Sequence, residues 1–223
     1  MVAFASVVID VDSTLCGVEG IDFLAERRGP DVSARIVALT DRAMRGEIAL
    51  ESVYAVRLTV IKPSRADIAV LADAYLATLA PGASAAIAAM RRAGARLTLV
   101  SGGIQQAIEP VARRLGFATD ELHAVRLFFD AAGDYATFDE QSPLATQAGK
   151  PEIVGALIAD GKLSRPLLAV GDGATDVLMR GVADTFAAFT GFARRATVVE
   201  QADLEINSFA ALARLITNGP GAA

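Results

Sequence analysis

The feature that most limits the possible folds of this chain is a series of short apolar runs. Each run is followed by a polar residue or glycine and then by a helical pattern. The runs are Ser6–Ile9, Ala95–Val100, Leu167–Val170 and Thr185–Phe189. Runs this short and this uniformly apolar predict strands that are buried on both faces. Because amphipathic helical segments lie between them, the sequence predicts an α/β fold, a parallel sheet with helices on both of its faces.

Two segments depart from this alternation. Between residues 17 and 78 the strand signal is absent, and helical spacing predicts a small helical domain inserted after the first strand of a core formed by residues 1–16 and 79–223. Farther along, Ala124–Phe129 and Tyr135–Phe138 predict a β-hairpin. The predicted helices of the inserted segment are Ile21–Arg28, Val32–Arg45, Ala49–Val60 and Ala66–Ala77.

Composition and charge exclude several classes of function. The hydrophobic fraction is 53%, yet the charge-free stretch from Ala74 to Met90 is only 17 residues long and contains a Pro-Gly pair. Because a membrane-spanning helix needs about 20 apolar residues, we expect no membrane span. A net charge of -5 argues against nucleic-acid binding. With one cysteine and no basic segment before the first apolar run, we expect a cytoplasmic protein without an internal disulfide.

Common site motifs are incomplete in this sequence. The Gly-Asp-Gly at 171–173 follows a predicted strand as a dinucleotide-binding loop does, but Asp176 occupies the position of the third glycine. Gly149-Lys150 lacks the first glycine of a P-loop, and no Gly-x-Ser-x-Gly is present. Cys16 and His123 are better explained as a small loop residue and a strand-edge residue than as a nucleophile and a base.

Acidic residues, Asp10 and Asp12, directly follow the first predicted strand. Ligands of open α/β sheets bind at the carboxyl ends of the strands, where residues two apart can lie on the same side. Two neighbouring carboxylates repel each other unless a cation neutralises them or one is protonated. A solvated acidic loop would give the same local pattern, but further polar groups follow later strands.

These further groups match the parts needed to handle a phosphate. Ser101-Gly102-Gly103 offers a hydroxyl and backbone amides that suit an anion, and Lys150 offers a positive charge. Asp172, Thr175 and Asp176 follow another strand, and carboxylates suit Mg²⁺, which proteins often share with a substrate phosphate. The set therefore predicts phosphoryl transfer, in which a carboxylate can be the nucleophile.

Taken in order, these residues resemble the motifs of the haloacid dehalogenase superfamily of phosphatases. Further matches, which include Glu19-Gly20-Ile21-Asp22, Arg57-Leu58 and Asp139-Glu140, make the chain similar to the phosphoserine phosphatase family from about Val7 to Ile216. The resemblance implies a Rossmann-like core with a helical cap that closes over the site. It also implies hydrolysis of O-phospho-L-serine to L-serine and phosphate through an aspartyl-phosphate intermediate, the last step of serine synthesis.

The resemblance assigns roles to individual residues. It makes Asp10 the nucleophile and Asp12 the general acid and base. It places Mg²⁺ on the carboxylate of Asp10, the backbone carbonyl of Asp12 and the side chain of Asp172, with Asp176 as a support or further ligand. The implied phosphate-binding residues are Ser101, Gly102 and Lys150. The implied substrate-binding residues are Glu19 for the ammonium group, Arg57 for the carboxylate, and Met44, Gly103, Thr175 and Arg195.

Departures from the family pattern bear on substrate selectivity. Arg45 replaces a glycine that commonly follows the counterpart of Met44, and Leu50 replaces a frequent aromatic residue. The loop after Gly191 is short, so Arg194 and Arg195 are alternatives for one substrate-side arginine.

The residues leave two alternatives open. A haloacid dehalogenase-type phosphatase or phosphotransferase would act on another small phosphate with the same chemistry. A receiver-like phospho-signalling module also places acids, a hydroxyl and a lysine at strand ends, but it is shorter and usually lacks a carboxylate at the position of Asp12. The predicted partner is a small phosphomonoester, and the sequence does not give the oligomeric state.

Overall fold

Strands and helices alternate along most of the chain in the computed structural model, which describes residues 4–44 and 50–218. The strands are β1 (Ser6–Ile9), β2 (Arg96–Ile104), β3 (Leu122–Val125), β4 (Leu127–Phe129), β5 (Tyr135–Phe138), β6 (Leu167–Gly171), β7 (Thr185–Phe189) and β8 (Leu204–Ile206). The α-helices are α1 (Gly20–Arg27), α2 (Pro30–Met44), α3 (Leu50–Ile61), α4 (Arg65–Ala77), α5 (Ala83–Arg92), α6 (Gln105–Arg114), α7 (Gly149–Ala159), α8 (Ala174–Val177), α9 (Ala196–Val199) and α10 (Phe209–Asn218). Across the described ranges, none of these helices combines the length and the apolar character that a membrane crossing requires.

The main sheet has six parallel strands in the order β3-β2-β1-β6-β7-β8. Val7, Val8 and Ile9 of the central strand β1 have no exposed surface, and successive strand side chains point to opposite faces. Both faces at the sheet centre are therefore covered, which confirms the predicted α/β fold. Ile9 is level with Leu99 of β2 and with Val170 of β6, so the residues that follow β1 and β6 lie at one edge of the sheet with the part of β2 beyond Leu99.

The inserted segment contains α1 to α4, and its described residues contain none of the named strands. Pro30 begins α2, where its missing N–H has no helical partner to lose. Ser64 caps α4 reciprocally: its Oγ accepts from Asp67 N–H at 3.2 Å, and Asp67 Oδ2 accepts from Ser64 N–H at 2.9 Å. Apolar residues of α1, α3 and α4 join the same core cluster as the strands. The division into a core and a cap stays a prediction.

The predicted hairpin is wrong in its first strand. Leu122–Val125 pairs in parallel with β2 at the edge of the main sheet, and only Leu127–Phe129 pairs antiparallel with Tyr135–Phe138. Arg126 separates the two strands, and its carbonyl accepts from Asp139 N–H at 2.8 Å. An apolar run cannot show where one strand ends and the next begins. β8 was not predicted because it has three residues with an exposed glutamate in the middle.

Candidate active site

The residues that follow β1 and β6, together with part of β2, surround a cavity of about 480 Å³. Every predicted site residue whose side chain the structure describes lines it. These residues are Asp10, Asp12, Glu19, Arg57, Ser101, Gly102, Gly103, Lys150, Asp172, Thr175, Asp176 and Arg195. The side chains of Met44 and Leu50, and the whole of Arg45, lie outside the described residues.

Three carboxylates meet at the sheet end of the cavity. Oxygen atoms of Asp10, Asp172 and Asp176 lie within 4.8 Å of one another, and each residue is at most 4% exposed. Burial raises the pKa of Asp10 above its ordinary value, and the charge of Asp176 raises it further. A buried cluster of oxygen ligands with excess negative charge fits a divalent cation, which would relieve this repulsion.

Lys150 is the buried cation of this cluster. It is the second residue of α7, and its Nζ lies 2.7 Å from Asp10 Oδ1 and 2.6 Å from Asp176 Oδ1. Burial alone would lower the pKa of Lys150, but the two carboxylates raise it above its usual value. The lysine is therefore charged at neutral pH, and its single charge does not by itself neutralise a cluster of three acids.

Neighbouring residues hold the carboxylates in place. Thr14 Oγ1 donates to Asp172 Oδ1 at 3.0 Å, and Gly173 N–H donates to Asp176 Oδ2 at 3.0 Å. Gly171 ends β6 without a side chain, and a Cβ atom there would overlap the Asp176 carboxylate. Glycine at this position thus allows the second acid of the Asp-x-x-x-Asp stretch to pack against the strand end.

Asp12 lies apart from the three-carboxylate cluster and has its own partners. Its Oδ1 accepts from Tyr75 Oη at 2.6 Å, and its Oδ2 accepts from Gly20 N–H at 2.9 Å. Burial and the charge of Glu19 raise the pKa of Asp12 to about 6, although both hydrogen bonds lower it. A carboxyl group that titrates close to neutral pH can both donate and accept a proton in one reaction cycle.

The β2 strand contributes the neutral polar wall of the cavity. Ser101 is 1% exposed, and its Oγ accepts from Gly103 N–H at 3.0 Å. A Cβ atom on Gly103 would lie only 3.1 Å from Asp12 Oδ1, so the backbone of β2 passes directly beside that carboxylate. The wall therefore offers a hydroxyl and backbone groups next to both Asp10 and Asp12.

Two opposite charges, Glu19 and Arg57, line the part of the cavity formed by the inserted segment. Glu19 Oε1 accepts from Ser13 Oγ at 2.7 Å and from Arg195 Nη2 at 3.1 Å. Arg57 Nη2 is paired with Asp22 Oδ1. This wall can recognise a ligand that carries both a positive and a negative group.

Of the two candidate arginines after β7, Arg195 lines the cavity. Besides Glu19, its guanidinium contacts the carboxylate of Asp172. Arg194 instead forms a surface pair with Glu205, with Nε 2.9 Å from Oε1 and Nη2 3.1 Å from Oε2. The geometry therefore favours Arg195 for the substrate-side role.

Sequence reasoning missed three residues of this site: Tyr54, Tyr75 and the role of Asp22 as the partner of Arg57. Tyr75 lies on α4 and contacts Asp12 from 63 positions farther along the chain. No local sequence pattern predicts such a contact. Tyr54 did leave a signal, because it lies three residues before Arg57 and positions three apart lie on neighbouring parts of a helix surface.

The comparisons with known proteins agree with this geometry. Residues 7–180 match the family model of haloacid dehalogenase-like hydrolases. A chloroplastic phosphoserine phosphatase of Arabidopsis thaliana is 36% identical over 93% of this chain and 70% of its own length. A phosphoserine phosphatase of Rattus norvegicus is 35% identical over 93% of this chain and 91% of its own length. A solved phospho-aspartyl intermediate analogue of phosphoserine phosphatase superposes with a TM-score of 0.74, at 25% identity, over 95% of this chain and 98% of that one.

Proposed function

This chain belongs to the haloacid dehalogenase-like hydrolases and, within them, to the phosphoserine phosphatase family, and from that premise we propose that it hydrolyses O-phospho-L-serine to L-serine and phosphate. Family membership makes it a phosphoric monoester hydrolase, so the alternative of a receiver-like signalling module is wrong. The observation that carries the choice of substrate is that Glu19 and Arg57 line the same cavity as Asp10 and Lys150. The reaction is then the last step of serine synthesis.

Asp10 and Asp12 divide the covalent chemistry in this proposal. A carboxylate oxygen of Asp10 attacks the phosphorus, the bond from phosphorus to the serine oxygen breaks, and Asp12 gives its proton to that oxygen. Asp12 then takes a proton from water, the water oxygen attacks the phosphorus, and the bond from phosphorus to Asp10 breaks to release phosphate. The pKa of about 6 for Asp12 suits both proton transfers.

The carboxylate cluster fits Mg²⁺, which prefers oxygen ligands and is commonly shared between carboxylates and a phosphate. Asp10, the backbone carbonyl of Asp12 and Asp172 would hold the ion, and Asp176 would support it. Bound Mg²⁺ supplies positive charge that offsets the negative charge of the phosphate and of the acids. The Lys150 ammonium would add a further positive charge next to the ion, because its Nζ already lies between Asp10 and Asp176.

Ser101, Gly102 and Lys150 would bind the phosphate oxygens. Ser101 already accepts from Gly103 N–H through its Oγ, which leaves its hydroxyl hydrogen available to a phosphate oxygen. The lysine ammonium has three donors: one hydrogen-bonds Asp176, the ammonium also forms an ion pair with Asp10, and a donor is left for a phosphate oxygen. Both groups are almost fully buried, where interactions between charges are stronger than in water.

The remaining groups of phosphoserine match the wall formed by the inserted segment. Glu19 would bind the ammonium group, and Arg57 would bind the carboxylate. Met44, Gly103, Thr175 and Arg195 complete the proposed set of substrate contacts. The inserted helices would act as a cap that excludes water while the phosphoryl group is transferred.

A substrate panel tests the proposal. Purified protein with Mg²⁺ should release phosphate from O-phospho-L-serine with a kcat/KM at least about tenfold higher than from O-phosphoethanolamine, which lacks the carboxylate, or from phosphoglycolate, which lacks the amine. Omission of Mg²⁺ with a chelator should abolish turnover. Equal turnover of all three phosphates would assign the site to another small phosphate, and transfer of the phosphoryl group to an added alcohol in preference to water would make it a phosphotransferase.

A further inference from the structure

Two hydrogen-bond donors in the wall of the cavity have no partner among the described residues. They are the Tyr54 hydroxyl and the Arg57 Nε–H, and both atoms are shielded from solvent. A buried donor that has lost water without gaining a protein acceptor destabilises the folded chain. Such an atom in a ligand cavity indicates that the ligand supplies the acceptor.

The two donors lie on the same helix in the wall of the cavity. Tyr54 and Arg57 are three residues apart on α3, and both line the cavity. The Tyr54 ring packs against Phe138 of β5, with ring centroids 5.4 Å apart. Asp22 is paired with the Nη2 end of Arg57, which orients the guanidinium and leaves its Nε edge for something else. The side chains are therefore already held before a ligand enters.

The chemistry of the pair selects the group that would bind there. Burial raises the pKa of Tyr54 above its ordinary value, so the hydroxyl is protonated at neutral pH and acts as a donor. A neutral donor beside a guanidinium disfavours a cation and favours an anion with two acceptor oxygens. In phosphoserine the group that meets this description, apart from the phosphate that Ser101 and Lys150 would hold, is the carboxylate.

We propose that Tyr54 is a specificity-determining residue whose hydroxyl donates a hydrogen bond to the carboxylate of the substrate beside Arg57. The proposal rests on the proposed function, because it assumes that the substrate is an amino-acid phosphate. The Tyr54 hydroxyl would be a second group, beside Arg57, that binds the substrate carboxylate. It would distinguish substrates with a carboxylate from those without one by a hydrogen bond, without adding a charge to the site. An analogue without the carboxylate leaves both buried donors unpaired and is rejected for that reason.

The variant Tyr54→Phe tests the proposal because it removes the hydroxyl and keeps the ring against Phe138. We expect the KM for O-phospho-L-serine to rise about tenfold, the usual size of one hydrogen bond to a charged group. The KM for O-phosphoethanolamine should not change. The matched control is Tyr135→Phe, a half-buried tyrosine that does not line the cavity, and it should leave both values unchanged.

Direct binding separates this proposal from the proposed function. In an Asp10→Asn background, which binds without turnover, calorimetry should show that adding Tyr54→Phe weakens binding of O-phospho-L-serine about tenfold and leaves O-phosphoethanolamine unaffected. If the wild-type chain fails to hydrolyse phosphoserine but this difference appears, the function fails and the Tyr54 contact stands. Equal losses for the two ligands, no loss for either, or no preference for the carboxylate before the substitution would each overturn the contact.

Discussion

The two ends of the cavity are built in different ways. At the sheet end, Asp10, Lys150, Asp172 and Asp176 are between 1% and 6% exposed and form one connected set of charges. At the helical end, the side chains of the Arg57 and Asp22 pair are 20% and 53% exposed. Removing one partner of a buried ion pair strongly lowers the free energy of unfolding, whereas exposed ion pairs contribute little to it. We therefore expect the reaction to depend on the buried sheet end, and the choice of substrate to depend on the more exposed helical end.

The different burial of the two ends leads to a general prediction. A change at the sheet end should reduce turnover of every phosphate alike and should often reduce stability too. A change at the helical end should act on one substrate, mainly through KM, and leave stability almost unchanged. A sheet-end variant that affects only one substrate, or a helical-end variant that affects every substrate, would show that the two ends do not work separately.

The largest expected effect comes from Asp10→Asn at the sheet end. The amide keeps the shape of the side chain but is a very poor nucleophile, so kcat for phosphoserine and for phosphoethanolamine should both fall by at least about 10⁴-fold. A phosphate-release assay measures the loss, and circular dichroism checks that the variant is folded. Activity near the wild-type level would remove the covalent mechanism.

Replacement of the buried ammonium by Lys150→Met should be the next largest effect. With two carboxylates left without their cation, we expect kcat to fall by about 10²- to 10³-fold and the free energy of unfolding to drop by about 3 kcal/mol at pH 7. The loss of stability should be larger at pH 9 than at pH 7, because the pKa of Asp10, raised to about 8 in the folded state, lets protonation remove part of the stranded charge at the lower pH.

Urea denaturation at both pH values, without added Mg²⁺, measures this stability. The sign follows from the direction of the pKa shift: a carboxyl group whose pKa is raised in the folded state costs most when it is ionised and least when it is protonated. An equal loss at pH 7 and pH 9 would instead attribute the destabilisation to packing.

At the helical end, Arg57→Ala should raise the KM for phosphoserine by about 10- to 100-fold, because it removes the proposed charged partner of the substrate carboxylate. The kcat for the same substrate and both constants for phosphoethanolamine should stay within about twofold of the wild type. Steady-state kinetics on the two substrates measure the split. A similar fall in turnover of phosphoethanolamine would contradict the separation of the two ends.

The same contrast explains how much of the site the sequence predicts. Asp10 and Asp172 follow buried strands, and parallel strands of matching register bring the residues after them to one edge. Local patterns are therefore sufficient for the sheet end. The resemblance to a known family supplied the individual roles and the residues of the helical end.

Contacts that depend on how the helices pack could not be predicted in this way. Tyr75 meets Asp12 only because of how α4 packs against α6 and α1, and the pairing of Asp22 with Arg57 depends on the placement of α1 against α3. The choice between Arg194 and Arg195 depends on the path of a single loop. An apolar run likewise cannot show that Leu122–Val125 joins the main sheet while Leu127–Phe129 leaves it.

The smallest effect is expected for Tyr75→Phe, a change that connects the two ends of the cavity. Tyr75 belongs to the inserted helices, but its hydroxyl donates to Asp12 at 2.6 Å and lowers the pKa of that carboxyl group. Without this bond the pKa of Asp12 should rise above about 6, by roughly one unit for a hydrogen bond to an ionised group. In the proposed mechanism Asp12 must be protonated to donate to the leaving oxygen, so the fall of kcat/KM at alkaline pH should move to higher pH by the same amount.

The pH profile distinguishes this electrostatic role from simple packing. If Tyr75 only filled space, Tyr75→Phe would change the height of the profile and leave its midpoint in place, as we expect for the control Tyr135→Phe. A midpoint that moves upward for phosphoserine and phosphoethanolamine alike would show that a residue of the inserted helices adjusts the proton transfer without selecting the substrate. A shift confined to phosphoserine would contradict the assignment, because the proposed mechanism has Asp12 protonate the leaving oxygen of both compounds.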